Sequence, residues 1–196
     1  MRLALPFLLL ASPALAAGTI IVSPVYSQLV ALPTPPDFVA GNEQAKDGFY
    51  ILELAPKGQT MAQWTQLITL TGAKDAASDS AVTTTASQIG GGYQAACPAS
   101  FAARTLPAPK VRGALKVFAG YLGCGAVNGQ SEAMVFLVLQ GKSEIYRLQW
   151  SERGPPQDTA PQPDPAIWKP RAELLALSRI CDKLAGEAAP YPSCTQ

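Results

Sequence analysis

The chain has 196 residues, of which 48% are hydrophobic and 15% charged, with 15 Lys and Arg against 14 Asp and Glu. This balance suits one domain with a real core and excludes a disordered chain. No cluster of Lys and Arg is available to neutralise nucleic-acid phosphates or to grip anionic lipid by charge alone, and the complete absence of histidine removes Ser-His-Asp and Cys-His catalysis and His-ligated zinc or iron.

Residues 1–17 read as a secretory signal peptide. Arg2 supplies the positive charge, residues 3–10 the apolar run, and Ala14-Leu15-Ala16 a small-residue cleavage motif. The run is too short for a permanent span, and Pro6 and Pro13 oppose a buried helix. Cleavage after Ala16 or Ala17 leaves residues 18–196 as a single α+β disulfide-bonded domain, periplasmic or secreted. No Cys follows the site to carry a lipoprotein anchor, and no later stretch is long and apolar enough to be a transmembrane segment. Loss of Arg2 reduces the basic side chains from 15 to 14, equal to the acidic ones.

Residues 19–23 are a short β-branched run that suits a strand. Residues 24–36 are rich in proline and loop-like, with an edge strand over 28–32. Phe38-Val39 opens a new element, 41–47 is polar and reads as a turn, and 48–54 is a strand. Tyr50, Leu52 and Leu54 share one face of it, and Phe49, Ile51 and Glu53 the other. Pro56-Lys57-Gly58-Gln59 turns the chain, Thr60 can cap a single helical turn, and 67–70 is another strand.

Val82, Ala86, Ile89 and Tyr93 recur at helical spacing. Gly90-Gly91-Gly92 ends or bends that helix, at roughly 2–3 kcal/mol of lost propensity. These glycines do not make a phosphate loop, because they follow the helix and no Gly-Lys-Ser/Thr comes after them. Strands are expected over 101–105 and 111–121. Val127-Asn128-Gly129-Gln130 is a hairpin turn, and 132–139 and 145–150 complete an antiparallel meander. Residues 154–163 form a proline-rich linker. Asp164-Pro165 then starts the last helix as N-cap and first turn, with Leu174, Leu177, Ile180 and Leu184 as its apolar stripe and Gly186 as its stop. The pattern predicts an α+β fold, an antiparallel sheet with a C-terminal meander packed by two helices.

The four cysteines, Cys97, Cys124, Cys181 and Cys194, are even in number and lie in a chain read as exported, so two disulfides are the default. Three connectivities are possible. Cys97–Cys124 with Cys181–Cys194 is preferred, because each bridge closes a moderate loop within its own region. No Cys-x-x-Cys pair supports a four-thiolate metal site, and nothing in the chain calls for a cofactor.

Pro56-Lys57-Gly58-Gln59-Thr60, then Trp64-Thr65 and Leu67-Ile68-Thr69-Leu70, resembles a P-x-G-x-T…W-T segment of exported PsbP-like proteins. Residues 35–38 resemble the P-x-x-F entry of that class. The resemblance implies an α/β/α sandwich around an antiparallel sheet. It also implies a non-catalytic accessory or binding role, with an envelope protein complex as partner.

An enzyme without histidine would lean on carboxylates. Two facing a cleft serve glycosidases, and the candidates are Glu53, Asp75, Asp79, Glu132, Glu144 and Glu152. Glu53 could meet Glu144 or Glu152 across strands, although surface carboxylates are the rule. Neither Ser-x-x-Lys nor Gly-x-Ser-x-Gly occurs. Tyr146, Leu148 and Trp150 share a strand face. Left exposed, it is an aromatic platform for a partner or a sugar; covered by the last helix, it is core, which is the preferred reading. The first functional expectation is therefore a non-catalytic envelope accessory or binding protein. A carboxylate-dependent hydrolase of envelope polymers would need two carboxylates in one cleft, and a small-molecule or lipid carrier a large apolar cavity between sheet and helix.

Overall fold

A computed structural model describes residues 18–196, so the expected signal peptide lies outside the described residues. In chain order the elements are β1 (Thr19–Val25), β2 (Gln28–Thr34), β3 (Phe38–Lys46), β4 (Phe49–Pro56), β5 (Gln66–Ala73), α1 (Ala81–Ala96), β6 (Phe101–Leu106), β7 (Lys116–Val127), β8 (Gln130–Gln140), β9 (Ile145–Gly154), α2 (Pro165–Ala176), β10 (Arg179–Asp182) and α3 (Pro192–Thr195). Seven strands form one sheet in the order β3-β4-β5-β9-β8-β7-β6, and a second sheet has the order β1-β2-β10. Every neighbouring pair is antiparallel.

The meander forms as its pattern dictates. Asn128 and Gly129 both adopt positive φ in the turn between β7 and β8, as a two-residue hairpin requires. β8 is apolar at every position from Ala133 to Leu139 because both of its faces are covered there. Val135, Leu137 and Leu139 point into the main core, and Met134, Phe136 and Val138 point toward α1.

The two faces of the large sheet are covered differently. Over the first, Val25, Val30, Leu32 and Ile180 of the small sheet pack with Trp168 and Leu175 of α2 against Leu52, Leu54, Ile68, Leu70, Tyr146 and Leu148. The sheets approach closely at Gly72, where a Cβ would lie 2.4 Å from Val25 Cγ1. Arg171 secures α2 by pairing with Glu152, its guanidinium 5.5 and 5.3 Å from the Trp150 and Trp168 rings. Over the second face, Ala81, Val82 and Ala86 of α1 pack on Leu122, Met134, Phe136 and Ile145.

This is a β-rich fold, with 46% of the described residues in strands and 18% in helices. It corrects the expectation of an α+β sheet packed by two helices as an α/β/α sandwich. Residues 24–36, read as loop-like apart from an edge strand over 28–32, instead continue β1 to Val25 and carry β2 to Thr34, so that 19–34 forms the β1–β2 hairpin. Its prolines sit where a ladder tolerates them: Pro24 lies on edge strand β1, and Pro33 lies beyond the stretch of β2 that pairs with β10. The expected stripe through Leu184 also breaks. α2 ends at Ala176, Leu177 and Leu184 are exposed, and Ile180 and Cys181 pair with Val30 and Leu29. Ladder bonds to a distant strand override the helical spacing there.

Two smaller corrections have similar causes. Residues 41–47, read as a turn, belong mostly to edge strand β3, whose exposed polar side chains hide its register with β4. The helix α1 runs through Gly90-Gly91-Gly92. Its far end is held by the Tyr93 hydroxyl, which donates to Glu132 at 2.5 Å, and by Cys97, which is disulfide-bonded to Cys124 of β7. Cys181 is bonded to Cys194. The Cα separations of 5.9 and 5.7 Å are normal for disulfides. Among the described residues no helix is long and apolar enough to cross a membrane.

Candidate functional site

Neither covering layer spans its whole face. α2 packs on β8 and β9 and against β2, reaches β7 through Trp168 against Tyr121, and leaves the rest of β7 and β6 uncovered. The gap is an apolar cleft of about 600 Å³, floored by Leu106, Ala119, Tyr121 and Leu137 and walled by Trp168, Ala172 and Ala176 of α2. Its depth comes from small side chains: Ala119 on the sheet, and Ala172 and Ala176 on the helix, stand where larger residues would fill the space. Four prolines, Pro107, Pro109, Pro163 and Pro165, form its border. The two that follow β6 have no N–H to extend the ladder, so the rim stays open.

The proline-rich segment after β9 is a strap docked on β7. The Gln157 amide donates to Gly125 O at 2.8 Å, and the Tyr121 hydroxyl donates to Pro161 O at 2.8 Å. Only glycine admits this approach: a Cβ on Gly123 would lie 2.5 Å from Pro161 O, and one on Gly125 2.5 Å from Gln157 O. The strap delivers Asp164 to the start of α2, where its carboxylate accepts from the Ala166 amide at 2.9 Å. Burial, then the charge of Glu152, pushes the Tyr121 phenol up to about 12. It therefore stays protonated at ordinary pH and donates to Pro161 O.

The cleft interior is apolar, and charge is confined to the rim, where Arg104, Lys169 and Glu173 stand. Lys169 lies 3.9 Å from Glu173. Arg104 donates to the carbonyl of its own neighbour, Ala103, and has no salt-bridge partner among the described residues.

On the opposite face α1 covers β6, β7 and β8 and leaves β4, β5 and β9 largely open. Asn42, Glu53, Thr69 and Gln149 align there in one row across four strands, and Asn42 Nδ2 donates to Glu53 at 2.8 Å. Further along, Glu132 accepts from Tyr93 at 2.5 Å and from Arg153 Nε at 2.9 Å. The Arg153 guanidinium lies 3.7 Å from the centroid of the Trp64 ring. Burial, then the charge of Glu132, pushes the Tyr93 phenol well above its usual range. Glu132 is thus a node joining α1, β8 and β9.

The carboxylates read from the sequence do not converge. Glu53 faces the α1 side, whereas Glu152 faces the main core and pairs with Arg171, so the sheet separates them. Glu144, only 1% exposed, accepts from the Ser27 amide and hydroxyl at 3.1 and 2.9 Å and clamps the β1–β2 turn. Glu53 and Glu132 share a face but sit three strand spacings apart, roughly 14 Å across the sheet, with Glu132 displaced a further four residues along β8, too far for a glycosidase pair. Asp75 and Asp79 are exposed beside Lys74 and Lys116. The hydrogen bond and charge of Lys116 hold the Asp79 carboxyl below its ordinary value.

Tyr146, Leu148 and Trp150 are 0, 0 and 7% exposed, and Trp150 packs against Phe38 at 5.3 Å. They are therefore core and not a partner or ligand surface, because the small sheet and α2 both lie over that strand face. No three or more Cys, Asp or Glu among the described residues are grouped to hold a metal ion. The cleft residues Ala119, Ala172 and Ala176 escaped sequence reasoning, since a small side chain marks a void only once its neighbours are placed. No protein-family model matches the chain, and no curated protein matches it.

Proposed function

We propose that this chain is an exported, non-catalytic binding protein of the cell envelope, and that it holds a small anionic amphiphile in the cleft between α2 and strands β6 and β7. The observation that carries this reading is the cleft of about 600 Å³ with an apolar floor, a volume within the range of small-molecule sites. Arg104 and Lys169 outnumber Glu173 at the rim, so an acyl chain or ring would lie inside with its acidic head outside. Dispersed carboxylates and the absence of histidine support a role without catalysis. Two disulfides fit an oxidising compartment, and the leader-like residues 1–17 support export. The likeness of residues 56–70 to PsbP-like accessory proteins supports service to an envelope protein complex.

Titration with a fluorescent fatty acid tests the cleft. Saturable binding that Ala172→Phe weakens by about tenfold or more, with the melting temperature held, is the expected result. Equal binding by that variant, or no binding by the parent chain, removes the cleft as the site. An in-cell crosslink of the tagged chain tests the envelope partner separately.

A further inference from the structure

The second uncovered face carries an unpaired cation. Arg147 lies on β9, the fourth of seven strands and so the middle of the large sheet. It is in register with Thr71 of β5 and Val138 of β8. Its Nε is buried without a hydrogen-bond partner, and none of the salt bridges among the described residues includes it. Glu53, the carboxylate whose charge acts on it, forms its hydrogen bond with Asn42 instead. The residue is only partly exposed, and withdrawing part of a guanidinium from water is costly unless a counter-charge offsets it, which Glu53 does without forming a salt bridge.

Arg147 instead borders a cavity of about 440 Å³ between α1 and strands β4, β5 and β9. Thr71, Thr85 and Gln88 line it with hydroxyl and amide groups, Phe49, Ile89 and Ile145 with apolar surface, and no acidic residue lines it. The chemistry is therefore one positive charge, a few neutral donors and apolar walls. A guanidinium presents a planar fork that matches a carboxylate in two parallel hydrogen bonds. A single cation balances a monoanion better than a phosphate dianion, and the apolar walls favour an organic body over an inorganic ion.

We propose that this cavity is a second ligand site, separate from the cleft beside α2, which binds a small organic carboxylate through Arg147. The proposal does not rest on the cleft: the sites lie on opposite faces of the sheet and share no lining residue.

Benzoate is a suitable probe, with benzyl alcohol as its neutral counterpart and inorganic phosphate as the competing anion. The measurement is a titration of the isotopically labelled chain followed by amide NMR shifts. Saturable shifts at Thr71, Gln88, Ile89 and Arg147 are expected, with benzyl alcohol weaker by about tenfold or more. Arg147→Met should abolish the shifts and raise the melting temperature of the ligand-free chain, because it removes a partly buried charge whose Nε has no partner, at similar volume. Benzoate should raise the melting temperature of the parent chain and leave that of the variant unchanged. If Arg147→Met does not fold, Gln88→Trp, on the exposed flank of α1, should block the cavity with the fold intact. Three results would overturn the assignment: no saturable shift at these residues, equal binding by the Met variant or the Trp variant, or phosphate binding more tightly than benzoate.

Discussion

Tyr121 and Trp168 meet edge to face with their ring centroids 5.3 Å apart, and this contact fixes where α2 rests on the sheet. Tyr121 also donates to Pro161 O of the strap at 2.8 Å, so one side chain locates both the helix and the segment leading into it. Tyr121→Phe keeps the ring contact and removes only the donor. It should cost about 0.5–1.5 kcal/mol of stability, read from urea unfolding. The strap amide of Gln157, which donates to Gly125 O, should also exchange its hydrogen faster. Trp168→Ala removes the wall as well and should cost roughly 3–5 kcal/mol, and a smaller loss would show that α2 is held mainly elsewhere.

Glycines in this chain predict substitutions of opposite sign. Gly123→Ala places a Cβ 2.5 Å from Pro161 O, so strap or strand must shift, and a loss of roughly 1–3 kcal/mol is expected. Gly91→Ala on α1 meets nothing within 4 Å. It should stabilise by roughly 0.8–1 kcal/mol, the helix-propensity difference between the two residues. Thermal melts of the two variants would move in opposite directions, and a destabilised Gly91→Ala would show that α1 needs its glycines for something the fold does not display.

The bridges should differ in strength. Cys97–Cys124 spans 27 residues and Cys181–Cys194 spans 13, and each doubling of loop length adds about 0.6 kcal/mol of closure entropy. Paired Cys→Ser changes should cost roughly 2–5 kcal/mol each, with the longer loop costing more. Removing the shorter bridge should have the more local effect, since it ties Cys194 beside β10 and Leu29 in a small satellite cluster. Hydrogen exchange confined to β10 and α3 would show that locality.

What was readable in the chain and what was not divides by the range of the interaction. β8 and β9 were legible because their pattern and turns lie within thirty residues of one another: Asn128-Gly129 sets the hairpin, and Tyr146, Leu148 and Trp150 alternate with Ile145, Arg147 and Gln149. The β1-β2-β10 sheet was not, because Ile180 finds Val30 only after the intervening chain has folded, and four strand residues after a helix look like more helix. Alternation showed which side chains share a face of β9 but not what covers each face. For the same reason the sequence does not show that Arg147 lies in the middle of the sheet beside a cavity.

Glu144 gives the sharpest test of a buried charge. Its carboxylate accepts two hydrogen bonds from Ser27, which fastens the β8–β9 turn to the β1–β2 turn. Glu144→Gln keeps the shape and removes the charge, and hydrogen bonds to a charged group contribute about 1.5–3 kcal/mol. A loss in that range, with faster exchange of the Ser27 amide, is expected. An unchanged Ser27 amide would mean that the small sheet holds the turn without help.

Stability should also fail in alkali, for a reason visible in the buried phenols. Burial raises the pKa of Tyr50, Tyr93, Tyr121 and Tyr146 above the ordinary value, to about 12 for Tyr121. A raised folded pKa means that between about 10 and the folded value the native state binds more protons than the unfolded chain. Stability is therefore fully present below pH 10 and falls as pH rises toward 12. Phenolate absorbance should appear together with loss of near-ultraviolet dichroism over that window, because these tyrosines ionise as the core opens. Tyr121→Phe removes one such group and should make the decline shallower, measured relative to its own stability at neutral pH. If the four phenols instead ionised near pH 10 with the fold intact, the close packing of Tyr121 and Tyr146 beneath the small sheet and α2 would be wrong, and the floor of the cleft with it.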